Sequence, residues 1–280
     1  MRAGARRRLN TLMGGLTAGA AFLVILPLLL ILGFLVYQGA SALNFAFFTH
    51  LPKPVGEPGG GMGNAIVGTV ILLCLATCLG LPLGILGGVY LSESRDRRLP
   101  WLVRFLTDVL NGVPSIVIGI FAYTLVVLPM RRFSAVAGGV ALAVIMLPIV
   151  LRTTEEMVRL VPASLREAAL ALGIPEWKVV FRVVLPTARA GIITGVMVAV
   201  ARIAGETAPL LFTAFGNRFW QHGLDQPIAA LPLQIFAYAI APYDDWHRQA
   251  WAGALVLIAL IFLTSLVARL VTKGRFSGVR

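Results

Sequence analysis

Charge is scarce in this sequence. Of its 280 residues, 13% are Asp, Glu, Lys or Arg, against roughly 25% in an ordinary soluble domain. Apolar residues reach 58%, against roughly 45–50%, and the mean hydropathy is +0.88. A disordered chain is excluded and a soluble enzyme disfavoured, which leaves a polytopic membrane protein. Lysine is nearly absent: Lys53, Lys178 and Lys273 stand beside 21 arginines among the 24 basic residues. None of these lysines sits in a G-x-x-x-x-G-K-[ST] loop, so any ATP chemistry belongs to another chain. Cys74 and Cys78 cannot make a disulfide framework. Their C-x-x-x-C spacing is neither a zinc nor a redox spacing, and they are expected as small packers on one face of a buried helix. His50, His222 and His247 lack a second ligand at metal spacing, so no metal site is expected. No Ser, His and acid grouping within one apolar segment points to a hydrolase.

What the chain has in plenty is long apolar runs. A bilayer core needs roughly 20 mostly apolar residues per helix. Six segments meet this: 15–37, 64–91, 110–130, 133–151, 190–215 and 250–271. The uncharged run from Leu9 to Pro52 far exceeds a signal-peptide core of roughly 7–15 residues, so the first segment reads as an uncleaved span. The expected fold class is therefore all-α, with six transmembrane helices. A basic stretch at 1–14 precedes the transmembrane domain at 15–271, and a tail at 272–280 follows it. With the amino terminus in the cytoplasm, 18 basic residues fall on the inner side and five outside, as the positive-inside rule requires. Both termini are then cytoplasmic. The Pro/Gly-rich loop at 38–63 and the segment 216–249 lie outside, with 228–240 apolar enough for a short re-entrant or interfacial helix.

The cytoplasmic loop at 152–189 is the longest informative polar stretch. Ser164-Leu165-Arg166-Glu167 has the form of a capping box, Gly173 is placed to stop that helix, and Pro175 to open a second one that Leu185-Pro186 closes. A DNA-reading helix-turn-helix is disfavoured, because Trp177, Val179, Val180, Phe181, Val183 and Val184 make the second helix apolar, so no nucleic-acid partner is expected. Glu167-Ala168-Ala169, then Gly173 after three residues, then Val183, Leu185 and Pro186, resembles the EAA signature of ABC-importer permeases. Val183 in place of isoleucine is the one departure. The resemblance implies a type I importer (MetI-like) permease fold and a loop that docks on a separate cytoplasmic ATPase.

Arg202 and Glu206 stand inside the fifth apolar segment. An arginine at mid-bilayer costs on the order of 2.5–3.5 kcal/mol even on the lenient scale, so it needs compensation or a use. Four apart on a helix, the two can pair and fix packing, or they can form a polar patch on a substrate path, with Arg202 offering a donor fork to an oxyanion. Arg152, at the cytoplasmic end of the fourth segment, is a further candidate for anion contact or simply a side chain reaching the interface. Asn111, Pro114 and Ser115 can kink the third segment.

The run Ala201 to Phe212, with Asn111 to Val117 and Gly59 to Ile66, is similar to phosphate importer permeases of the PstA type. That resemblance implies a bacterial inner-membrane subunit for phosphate import, paired with a PstC-type permease, two ATPase subunits and an external phosphate-binding protein. ATP and Mg would then bind the ATPase, and this chain would hold no cofactor. The alternatives are a proton-coupled secondary transporter using Arg202 and Glu206, an ABC permease for another oxyanion or an amino acid, and a membrane scaffold without transport.

Overall fold

The computed structural model describes residues 3–57, 59–94, 96 and 98–273. Among these the regular secondary structure is helical, with one isolated bridge between Phe215 and Ile228. The elements are α1 (Ala3–Gly39), α2 (Phe45–Thr49), α3 (Gly63–Glu93), α4 (Arg98–Gly112), α5 (Ser115–Ala122), α6 (Leu128–Met130), α7 (Ala135–Arg159), α8 (Ala163–Ala171), α9 (Glu176–Val179), α10 (Leu185–Ala204), α11 (Ala208–Thr213), α12 (Leu231–Ala239) and α13 (Asp244–Lys273). Five continuous helical stretches among the described residues are long and apolar enough to cross a membrane, and a sixth candidate is the bent pair of α4 with α5–α6.

The core is α3 against α7. Apolar burial gives little drive between helices in lipid, so close backbone approach through small residues does the work. Gly80, Gly84 and Gly88 recur every four residues on one face of α3 and meet Ala143, Val150 and Leu151 of α7. A methyl group at Gly84 would lie 2.8 Å from Val150 Cβ, and one at Gly88 2.6 Å from Leu151 O. α10 packs on the next face of α7, with Gly191 on Met157 and Gly195 on Thr153, so the two helices run antiparallel. α1 leans on α13, where Phe34 meets Trp251 edge-on at 5.2 Å.

The segment 216–249 is tied to the helices around it. Backbone carbonyls of Leu224 and Gln226 accept the amides of Val136 and Ala135, and the Ser134 hydroxyl accepts that of Ala137 at 3.1 Å. These satisfy donors that a helix start leaves open. α12 has nine residues, about 14 Å, too short to span. It is entered through buried Ile228, Ala229 and Ala230, and Thr69 Oγ1 of α3 accepts the Leu231 amide at 2.8 Å. The loop at 38–63 also holds a helix, α2, capped by Asn44 Oδ1 accepting from the Phe47 amide at 2.8 Å.

Several sequence expectations need correction. The third span is not a straight helix over 110–130: α4 and α5 meet at 107° around Val113-Pro114. Proline lacks an amide and forces the residue before it out of the helical region, so the ladder breaks there. The fourth helix continues through 152–159, eight residues into the expected loop. The fifth span starts at Glu176, ends at Ala204, and resumes as α11 after a break, rather than running over 190–215. The capping box does not form. Pro162 is the N-cap of α8, so Ser164 already has helical geometry and its hydroxyl makes no cap bond. Leu185-Pro186 does not close a helix either. A π turn at Val180–Val184, closed by the Leu185 amide donating to Val180 O, links α9 to α10 and carries the helix past Pro186, which has no amide to donate. The same device, a π turn at Tyr123–Val127, precedes Leu128-Pro129. Cys74 and Cys78 are exposed on the outer face of α3, not buried.

Candidate functional site

Arg202 lies in the last turn of α10, where the helix carbonyls favour a cation. Its depth follows from the α7–α10 register. Gly195 faces Thr153, and seven further residues, about 10 Å, bring Arg202 level with the middle of the 25-residue α7. Gly205 ends the helix, and Glu206 sits in the break before α11. Arg202 Nη2 and Glu206 Oε1 are 3.9 Å apart, the side chains 52% and 14% exposed respectively. The pair therefore spans a helix end instead of sharing one helix face, and it is loose. Glu206 is the only polar partner of the Arg202 guanidinium among the described residues, so most of its donor fork is open. The neighbouring broken span packs directly here: Gly119 of α5 lies against Pro209 of α11, where a methyl group would come within 2.6 Å of Pro209 Cα. The two helix breaks, at 113–114 and 205–207, are each within about two turns of that contact.

Arg152 is differently placed. It faces Glu155 Oε2 at 3.3 Å and Glu156 Oε1 at 3.7 Å, and it sits about two helical turns below Arg202 by the same register. The structure does not bring Arg152 and Arg202 together. Glu155, 1% exposed, also accepts from Arg104 Nε at 2.7 Å and forms an ion pair with Arg159 Nη2 at 2.7 Å. Arg104 reaches on to Leu91 O at 2.8 Å. One buried carboxylate thus ties the middle of α4 to the ends of α3 and α7. Sequence reasoning missed Glu155. Its spacing from Arg152 and Arg159 along α7 was readable, but Arg104 is 51 residues away.

The EAA residues occupy α8 and the turn after it. Glu167 and Ala168 are exposed, and Ala169 is buried against the core. Gly173 has φ +76°, its amide donates to Leu170 O at 2.9 Å, and Ile174 donates to Ala169 O at 3.3 Å. This is a Schellman ending, which needs a left-handed residue at that point. Arg166 braces α8 against Glu93 of α3 and donates to Val158 O at 3.2 Å. Val183 and Leu185 are half-buried in and just after the π turn, and Pro186 is exposed beyond it. Leu172 (80% exposed), Leu160 (73%) and Trp177 (63%) project around α8. Exposed large apolar side chains around a polar loop make this a candidate contact surface.

A family of known proteins covers most of these elements: the binding-protein-dependent transport system inner membrane component matches residues 80–276. The phosphate transport system permease protein PstA of Yersinia pestis is 45% identical over 267 residues, 95% of this chain and 90% of that protein. Among solved structures, a chain of the MetNI methionine ABC transporter superposes with TM-score 0.59 at 17% identity, over 76% of this chain and 96% of that one. A chain of a bacterial ABC transporter involved in the import of the acidic polysaccharide alginate gives 0.55 at 15%, over 97% and 98%. At such identities the solved structures establish the fold alone.

Proposed function

The chain belongs to the binding-protein-dependent transport system inner membrane components, on their PstA phosphate-permease branch, and from that premise we propose that it forms half of the membrane path of an ATP-driven phosphate importer. The fold is that of an ABC-importer permease, and the chain is a multi-pass membrane protein. In this reading it sits in a bacterial inner membrane with both termini in the cytoplasm and carries no catalysis of its own. A PstC-type permease completes the path, an external binding protein delivers phosphate, and two ATPase subunits bind ATP and Mg. One ATPase seats on the exposed apolar surface around Glu167, Ala168, Gly173 and Leu172.

The observation that carries the phosphate reading is the open guanidinium of Arg202 at mid-membrane. A planar donor fork matches the oxygens of a phosphate. Glu206 partly neutralises Arg202, so the anion is met but not trapped. Arg152, already engaged by two carboxylates, is the weaker candidate for an exit-side contact.

Reconstituting the chain with a related permease, a P-loop ATPase and the binding protein tests this. Phosphate uptake should require ATP and all partners, and sulfate or amino acids should not replace phosphate. Uptake by the chain alone, driven by a proton gradient, would instead identify a secondary transporter.

A further inference from the structure

α4 is the one long helix that fits neither the spanning bundle nor the coupling loop. Its 15 residues reach about 22 Å, less than a bilayer core of roughly 30 Å, and it meets the following membrane segment at 107°, near a right angle. Its height is fixed by two anchors. Arg104, at its middle, donates to Leu91 O, two residues from the end of α3, and to Glu155, four residues from the end of α7. α4 therefore lies along the membrane surface at the level where the spanning helices finish, on the face that carries α8.

The helix is two-faced. Pro100 and Thr107 are buried against the protein, on the side that Arg104 also anchors. On the other side Leu99 (48% exposed), Leu102 (44%), Phe105 (51%), Leu106 (50%) and Val109 (48%) recur at helical spacing and form one open apolar face. Trp101, 64% exposed and stacked on Phe105 at 5.7 Å, lies on its rim, and exposed Arg98 opens its first turn. Arg95 and Arg97 precede it in sequence. Asp108 is the only acid of α4 and sits on the rim two turns beyond Trp101. An apolar face edged by tryptophan and basic residues, held parallel to a bilayer surface, has the chemistry of a helix half-sunk among lipid headgroups.

We propose that α4 is a lipid-docking helix: its outer face enters the leaflet on the coupling side, and the basic turn at Arg98 takes anionic phospholipid headgroups. The positive end matches anionic phosphates. By holding α4 flat, the lipid fixes one arm of the bend at Val113-Pro114, the other arm of which packs on α11 beside Arg202 and Glu206.

Spin labels at Leu102→Cys and at Leu106→Cys test this, with Cys74 and Cys78 replaced by alanine. The full chain, assembled with its partner subunits, is placed in vesicles of phosphatidylcholine with phosphatidylglycerol. Both labels should collide more with oxygen than with the polar relaxant Ni-EDDA. Removing phosphatidylglycerol, or substituting Arg98→Gln, should shift both labels toward the aqueous side. Labels shielded from both relaxants would mean that a protein covers this face, and labels more open to Ni-EDDA would mean that it lies in water; either result overturns the proposal. Labels that stay at the same depth without phosphatidylglycerol would overturn the headgroup contact at Arg98.

Discussion

Arg202 with Glu206, and Glu155 with its three arginines, lie about 13 Å apart along α7 and are built in opposite ways. Around Glu155 the carboxylate is sealed, two guanidinium nitrogens stand at 2.7 Å, and Arg104 is tethered onward to Leu91 O near the end of α3. At Arg202 the contact stretches to 3.9 Å, the arginine is half-open, and the helix stops beside it. A buried charge that is fully bonded serves to position helices. A charge left under-bonded in an apolar setting is held ready for a ligand. On the proposed function, the difference separates a charge that positions helices from one that meets a ligand, without reference to conservation.

Changing each group in turn should sharpen that contrast. Glu155→Ala should have the largest effect on stability. Removing one partner of a buried ion pair costs roughly 3–5 kcal/mol, and because the arginines are partly solvated the lower end, about 3 kcal/mol, is expected. Denaturant unfolding of the purified chain in detergent measures it. Arg104→Gln should cost about 2 kcal/mol in the same assay, since charged hydrogen bonds to Glu155 and Leu91 O are lost. Gly173→Leu is an uncharged control. No heavy atom lies within 4 Å of the added Cβ, so the cost of about 1–2 kcal/mol is that of the left-handed backbone alone. Its signature should be ATP hydrolysis without uptake in the assembled transporter, because the end of the docking helix shifts. Arg202→Gln should change stability by under about 0.5 kcal/mol, as expected for a loose, half-exposed pair.

Much of the membrane architecture was legible in apolar runs, because a bilayer imposes length on every span. The EAA spacing located the short helix α8 and its Gly173 stop, since a left-handed residue at a helix end leaves a strong local mark. Features that depend on contacts between distant segments were not legible. Ser164 looked like a cap, but Pro162 set the helix start two residues earlier in the chain. Pro186 looked like a stop, but a π turn carried the helix through it. Pro114 did flag a break, yet its 107° angle depends on Arg104 holding α4 across the ends of α3 and α7. Arg202 stood out because charge is scarce. That Glu206 holds it only loosely came from the helix ending at Gly205, which no local pattern announced.

Phosphate uptake by the assembled transporter carrying Arg202→Gln, set beside its ATP hydrolysis and its assembly, tests the central claim most directly. The account predicts that uptake is lost by at least about 100-fold, the scale of a charged contact to the transported anion worth roughly 3 kcal/mol, while subunits still co-purify. Uptake close to that of the unmodified chain would contradict it, and would return Arg202 to the same structural class as the arginines around Glu155.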